Sequence, residues 1–230
     1  MKMEPIVLDP LPVEVDTPQL LKALRIREGS RNADEAQRLL AEAVAIARPK
    51  AIYKLAFVEA RLPEAVVVDG LTFTSRVLRV NLDGLNRVFV FVCTSGRELA
   101  AWVEGQADML ANYYADAINQ AILRGAMGAF ERHLTETYRV AQIARMNPGS
   151  LPDWPLSQQR PLFALLGDVT GAIGVALTDS LLMTPIKTVS GIIFPTEETF
   201  ASCQLCPREA CPNRRAAYDA ALFDKKFRAS

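Results

Sequence analysis

The period of the apolar residues changes twice along this chain, and those changes restrict its fold more than any other feature. Up to Pro49 the spacing is helical. Pro18 fits the first turn of a helix starting at about Thr17. A second helix opens on a capping-box-like pair, Asn32 and Glu35, and sets Leu39, Leu40, Ala43, Val44 and Ala47 on one face until Pro49 stops it. The period then drops to two. AIYKLAFVEA (51–60) and AVVVDGLTF (65–73) read as strands around a turn at Asp69 and Gly70, and RVFVFVCTSG (87–96) as a buried strand. From Glu98 to about Leu134 the pattern is helical again, with Leu110, Tyr114, Ala117, Ile118, Ala121 and Ile122 on one side. Asn112, Asp116, Asn119 and Gln120 form a polar stripe on the other, either a solvated helix face or the rim of a site. Gly125 and Gly128 either weaken the far end of this helix or mark close packing.

TYRVAQIARM (137–146) continues as a strand into a Pro148–Gly149 turn. A short helix follows, with Ser157 as its cap and PLFALLG (161–167) as its body. Residues 172–195 supply two or three more strands, and a last helix runs from about Arg214 to Phe223. Strands and helices in blocks, with no repeat or linker, imply a single mixed α+β domain over residues 1–230, a mainly antiparallel sheet flanked by helices.

Half of the 230 residues are apolar and the formal net charge is zero, so core material is ample and no basic stripe exists to hold nucleic acid. The N-terminal MKMEPIVLDPLPVEV lacks the apolar run of a signal peptide, and no stretch nears the ~18 apolar residues of a membrane span. A cytoplasmic protein is expected. Thiols stay reduced there, and clustered cysteines hold metal more often than they form disulfides.

That matters because Cys203, Cys206 and Cys211 fall within nine residues, in a proline- and arginine-rich loop at about 202–215. A two-residue gap lets two thiolates reach one centre, and Pro207 and Pro212 keep the loop out of regular structure. An iron–sulfur cluster is the first expectation and zinc the second, with packed thiols or a disulfide as the other readings. Three ligands leave the set one short, so Cys93 completes it or one position stays open. Arg145 is either a surface arginine entering a tight turn or a planar fork for a ligand carboxylate, the turn exposing backbone groups to the same ligand. Ser190–Gly191 reads as a strand with a glycine bulge, because the nucleophile elbow and a nearby histidine are both lacking. Thr94–Ser95–Gly96 is too short for a phosphate loop, and the single histidine, His133, belongs near the end of the long helix.

Three segments together, RMNPGSLPDWPLSQQRPLF (145–163), LLMTPIKTVSGIIFP (181–195) and the cysteine loop, carry a resemblance. The chain resembles the activation domain of cobalamin-dependent methionine synthase, and more closely the free-standing activation-domain-like proteins associated with corrinoid methyltransferases. The family has an arginine, two residues, Pro–Gly and a tyrosine where it binds S-adenosylmethionine. Arg145, Asn147, Pro148 and Gly149 match, while Ser150 stands in the tyrosine's place. Met183, Pro185, Thr188, Ser190, Gly191 and Phe194 match a second shared element. The resemblance implies reactivation in trans: docking on a corrinoid-binding protein that carries the cobalamin, and reductive methylation of stalled Co(II) with S-adenosylmethionine. An iron–sulfur centre on Cys203, Cys206 and Cys211 would be placed to supply the electron. A non-catalytic docking module and a separate thiolate–metal redox protein are the competing readings.

Overall fold

A computed structural model describes residues 3–197, 200–208, 210, 211 and 214–228. Its main sheet contains β1 (Ile6–Leu8), β2 (Lys50–Leu62), β3 (Ala65–Val68), β4 (Leu71–Thr74), β5 (Arg87–Thr94), β6 (Ile143–Met146) and β9 (Thr188–Pro195). The order is β4-β3-β2-β5-β9-β6, with β1 paired to β2, and each of these pairings is antiparallel. Between β6 and β9, a small ribbon pairs β7 (Ala176–Leu177) with β8 (Met183–Thr184). The helices are α1 (Thr17–Ala23), α2 (Arg31–Ile46), α3 (Arg76–Asn81), α4 (Arg97–Glu104), α5 (Met109–Tyr138), α6 (Gln159–Leu166) and α7 (Val169–Ile173). The expected mixed α+β architecture with an antiparallel sheet is what forms.

Side-chain alternation in β5 divides the interior. Phe89, Phe91 and Cys93 join Leu123, Met127, Phe130 and Leu134 of α5 on one face of the sheet. Val88, Val90 and Val92 face a second core built by α3, α6, α7 and Trp154. A third cluster, α1, α2 and α4 against the first half of α5, is helix on helix. Each fully buried Leu, Val or Phe contributes on the order of 1.5–3 kcal/mol of transfer free energy.

Several boundaries differ from the sequence reading, each for a local reason. The α2 cap is Ser30, whose hydroxyl accepts from the Ala33 N–H at 3.3 Å, and not the Asn32–Glu35 pair. Its buried face is Ala33, Ala36, Leu39 and Ala43, while Val44 is exposed. The long helical pattern is two helices, because Gly105 closes α4 and Asp108 caps α5 by accepting from Ala111 N at 3.1 Å. The helix then runs through Tyr138 until Arg139 turns left-handed at φ 52°, so only Ile143–Met146 of the expected strand pairs. Ser157 lies inside a 3-10 turn (Leu156–Gln158) rather than capping α6. Helix α3, capped by Ser75 accepting from Leu78 N at 2.9 Å, had no counterpart in the sequence reading.

The last helix is the largest departure. No helix spans Arg214 to Phe223, and a π-helical turn follows at Phe223–Arg228. The Arg214 side chain is drawn into the cysteine loop and its backbone goes with it. Phe200, Leu205, Leu222, Phe223 and the fully buried Phe227 strap this segment onto the α3–α6 core.

The two α5 glycines separate cleanly. A Cβ on Gly125 would overlap the Glu14 carbonyl oxygen, where the N-terminal segment crosses the helix; at Gly128 the nearest atom is a flexible Arg132 nitrogen at 3.8 Å. Gly125→Ala should therefore destabilise the protein by roughly 1–3 kcal/mol through overpacking. Gly128→Ala should be neutral or stabilising by up to about 1 kcal/mol. Urea denaturation of the two variants measures both.

Candidate functional site

Arg145 sits on the sheet-edge strand β6, paired in register with Ile193 of β9, and therefore on the α5 face of the sheet. The next residues curl over β9. A Cβ on Gly191 would overlap the Met146 carbonyl oxygen, so this close approach requires a glycine. Asn147 Nδ2 donates to the Ser190 carbonyl at 2.7 Å, which fixes the turn to β9. Gly149, at φ +80°, donates its N–H to the Trp154 carbonyl at 2.7 Å, and Ser150 N–H to the Asn147 carbonyl at 3.1 Å. Trp154 is fully buried and packs edge-on to Phe73. The seat around Arg145, Asn147, Pro148 and Gly149 is thus rigidly built.

Arg145 itself does not present an open fork. Its Nη1 donates to Glu131 of α5, and its Nε is buried without a partner. Burial lowers its pKa from the usual guanidinium value; Glu131 opposes that shift, and the charge of Arg215 adds to it. Two grooves, of about 460 and 540 Å³, open elsewhere, and neither is lined by Arg145, Asn147, Pro148 or Gly149. Glu131 was missed by sequence reasoning, since nothing in helical spacing says which acid will meet an arginine on a strand.

The polar stripe of α5 is only partly solvated, and two of its residues make contacts beyond their own helix. Asp116 pairs with Lys187 at 3.0 Å, Asn112 Nδ2 donates to the Val103 carbonyl at 2.9 Å, and Asn119 is buried with Oδ1 unpartnered. Asp116–Lys187 and Glu131–Arg145 stand fifteen residues apart on α5. That spacing corresponds to roughly 22 Å of helix, over which the β9–β6 edge is tied down twice. Thr94 and Ser95 close this end: Ser95 N–H donates to the Lys187 carbonyl at 3.1 Å, and Thr188 Oγ1 lies 3.0 Å from Thr94 Oγ1. This TSG segment acts as a structural clasp. His133 lies in the last turns of α5 with Nε2 2.9 Å from the Tyr53 hydroxyl.

The cysteine loop is organised by Arg214. Its Nη1 donates to the carbonyls of Cys203 at 3.1 Å and Ala216 at 3.0 Å, and its Nη2 to those of Cys206 at 3.0 Å and Arg208 at 2.5 Å. Cys203 Sγ accepts the Arg215 N–H at 3.4 Å. Burial alone would raise this thiol. It is outweighed by the Arg215 N–H and charge, the Ala216 N–H and an Arg215 side-chain hydrogen bond, which hold Cys203 below the usual thiol value. Pro212, counted on to stiffen the loop, lies outside the described residues. Among the described residues, no three Cys, His, Asp or Glu side chains come together as a metal would require. An iron–sulfur or zinc centre is therefore not shown by the placement of these described residues. Cys93 does not complete it either. It is fully buried on β5 in the α5 core, and burial pushes its thiol up to about 12, with Arg145 lowering and Glu131 raising it.

The unit bearing Arg145 and its turn has recognisable relatives. Residues 101–205 match the vitamin B12 dependent methionine synthase activation domain. The match takes in α5, β6, the Pro148–Gly149 turn and β9, and it ends inside the cysteine loop, leaving Cys206, Cys211 and Arg214 beyond it. The fold as a whole is similar to that of a crystal structure described as the MetH reactivation domain bound to AdoHcy. That protein is 18% identical, with 87% of this chain and 82% of that one covered and a TM-score of 0.60. The activation-domain resemblance read from the sequence is thus met by a family match over residues 101–205 and by a similar fold. Compared with curated proteins, the chain matches none. Among the described residues, no helix is long and apolar enough to cross a membrane.

The cysteines should separate chemically. At pH 8 a thiol reagent should label Cys203, Cys206 and Cys211 in the native protein and leave Cys93 untouched until denaturant is added. Peptide mapping after timed alkylation reads this directly.

Proposed function

We propose that this protein reactivates a cobalamin-dependent methyltransferase or methionine synthase in trans. It docks on the corrinoid-carrying protein and supports reductive methylation of inactive Co(II) with S-adenosylmethionine. The observation that carries the reading is the activation-domain match over residues 101–205, the same stretch that builds the Arg145 seat. The fold likeness to a domain crystallised with AdoHcy adds support. S-adenosylmethionine supplies the methyl group in this reaction, and the benefit of a docked complex is proximity, which makes a bimolecular transfer effectively intramolecular.

The residues of the seat fit such a ligand in one respect and compete with it in another. Arg145 Nε is a buried donor lacking an acceptor, a deficit that a ligand carboxylate would remove. Glu131 already occupies Nη1, so ligand binding has to displace or share that carboxylate. Asn147, Pro148 and Gly149 hold the strand end and turn, fixing the backbone beside the guanidinium. A second reading, a docking module that binds no S-adenosylmethionine, is favoured by the Arg145–Glu131 pair and by Ser150 standing where the family has a tyrosine.

Calorimetry with S-adenosylmethionine and S-adenosylhomocysteine decides between them. On the first reading both bind, Arg145→Ala weakens them by about tenfold or more, the worth of a charged hydrogen bond, and Glu131→Gln tightens them by freeing the fork. No binding by the wild-type protein, with retained association to a cobalamin-loaded methyltransferase in gel filtration, selects the second. Absence of both ligand binding and association overturns the proposal.

A further inference from the structure

The cysteine loop sets two of its thiols, Cys203 and Cys206, at the ends of one tight turn, which suits a chemistry other than metal binding. We propose that Cys203 and Cys206 form a thiol–disulfide exchange site for low-molecular-weight disulfides, with Cys203 as the attacking sulfur and Cys206 as the resolving one.

Geometry carries this assignment. Cys203 lies in a 3-10 turn (Ser202–Leu205), and the Cys206 N–H donates to the Cys203 carbonyl at 3.2 Å. Such an i to i+3 turn keeps its end Cα atoms within roughly 7 Å, a span that overlaps the range of disulfides. Arg214 locks the turn by gripping the carbonyls of both cysteines. The Cys203 sulfur accepts the backbone N–H of Arg215 at 3.4 Å. A backbone N–H aimed at a sulfur favours its thiolate. Cys203 and Cys206 are both half-buried, but Cys206 also packs on the α3–α6 core beside Leu205 and Phe223. The sulfur that meets a backbone N–H takes the attacking role, and the one packed on the core resolves. Cys211 enters the turn network through its carbonyl, which accepts from Arg214 N at 3.1 Å.

The exchange balances without a metal. The Cys203 thiolate attacks one sulfur of the disulfide; its S–S bond breaks, a mixed disulfide forms and one small thiolate leaves. Cys206 loses its proton to water and attacks the Cys203 sulfur, expelling the second thiolate. Two protein thiols are oxidised to a cystine, and the small disulfide is reduced to two thiols. The assignment is independent of the corrinoid reading, since Cys206 and Arg214 lie beyond the activation-domain match.

The test is incubation of the full chain with glutathione disulfide, acid quenching and peptide mass spectrometry. The wild-type protein should lose two free thiols and yield a Cys203–Cys206 linkage. Cys206→Ser should stop at a glutathione adduct on Cys203, and Cys203→Ser should react at least about tenfold more slowly, with an unchanged circular dichroism spectrum. An adduct that settles on Cys211 in the Cys206→Ser variant overturns the assignment. So does one zinc ion per chain, taken up from zinc chloride under reducing conditions, that protects all three thiols from alkylation.

Discussion

Phe89, Phe91 and Cys93 of β5 point towards α5, while Val88, Val90 and Val92 point towards α6 and α7, and β2 and β9 cover the two edges of this strand. A strand buried on both faces and paired on both edges has no freedom of register, because a slip of one residue would exchange its two side-chain sets between dissimilar cores. The flat aromatic set suits a long helix laid across it, and the β-branched set suits short helices. Placing β9 against β5 then fixes β6 at the sheet edge, since β6 finds its partner in β9 alone. The position of Arg145 follows from the burial of a strand fifty residues earlier. Its orientation follows too, because cross-strand pairing with Ile193 leaves it no face but that of α5.

What was legible in the sequence follows from period and turn chemistry. The Asp69–Gly70 hairpin, the buried strand β5 and the Pro148–Gly149 turn are all local patterns, and all form, while the long helical pattern forms as two helices. The failures are places where a tertiary contact outweighed a local one. Asn32 and Glu35 made a plausible cap, yet Ser30 two residues earlier could accept from Ala33, so the helix starts there. Arg214 to Phe223 had helical composition, but one guanidinium with four carbonyl acceptors outweighs the propensity of a short exposed helix. The Gly125 contact was half legible: the glycine was visible and the Glu14 carbonyl above it was not.

The candidate site shows the same division. Arg145, Asn147, Pro148 and Gly149 are contiguous, so their association needed no fold. Glu131 and Lys187 come from α5 and from the approach to β9, and only the assembled sheet brings them to Arg145 and Asp116. These two ion pairs differ in consequence. Lys187–Asp116 has an exposed acid and is worth little. Arg145–Glu131 is more enclosed, and its arginine retains a buried, unpartnered Nε, so the pair satisfies only part of what burial takes from the guanidinium. A partly satisfied buried cation is a poor structural cross-link and a reasonable place for an anionic ligand to bind.

Arg214 and Arg215 divide their work in the cysteine loop. Arg214 directs its guanidinium at four carbonyl oxygens, of Cys203, Ala216, Cys206 and Arg208. Arg215 directs its backbone N–H at the Cys203 sulfur. An arginine thus ties the loop's carbonyls together from within the chain, and the Arg215 N–H and charge hold the Cys203 thiol below its usual value against burial. Arg215 also acts electrostatically on Arg145, lowering its pKa. The charge state of Cys203 and the hold of Arg145 on its acceptors therefore meet at one residue, although they lie on separate segments of the chain.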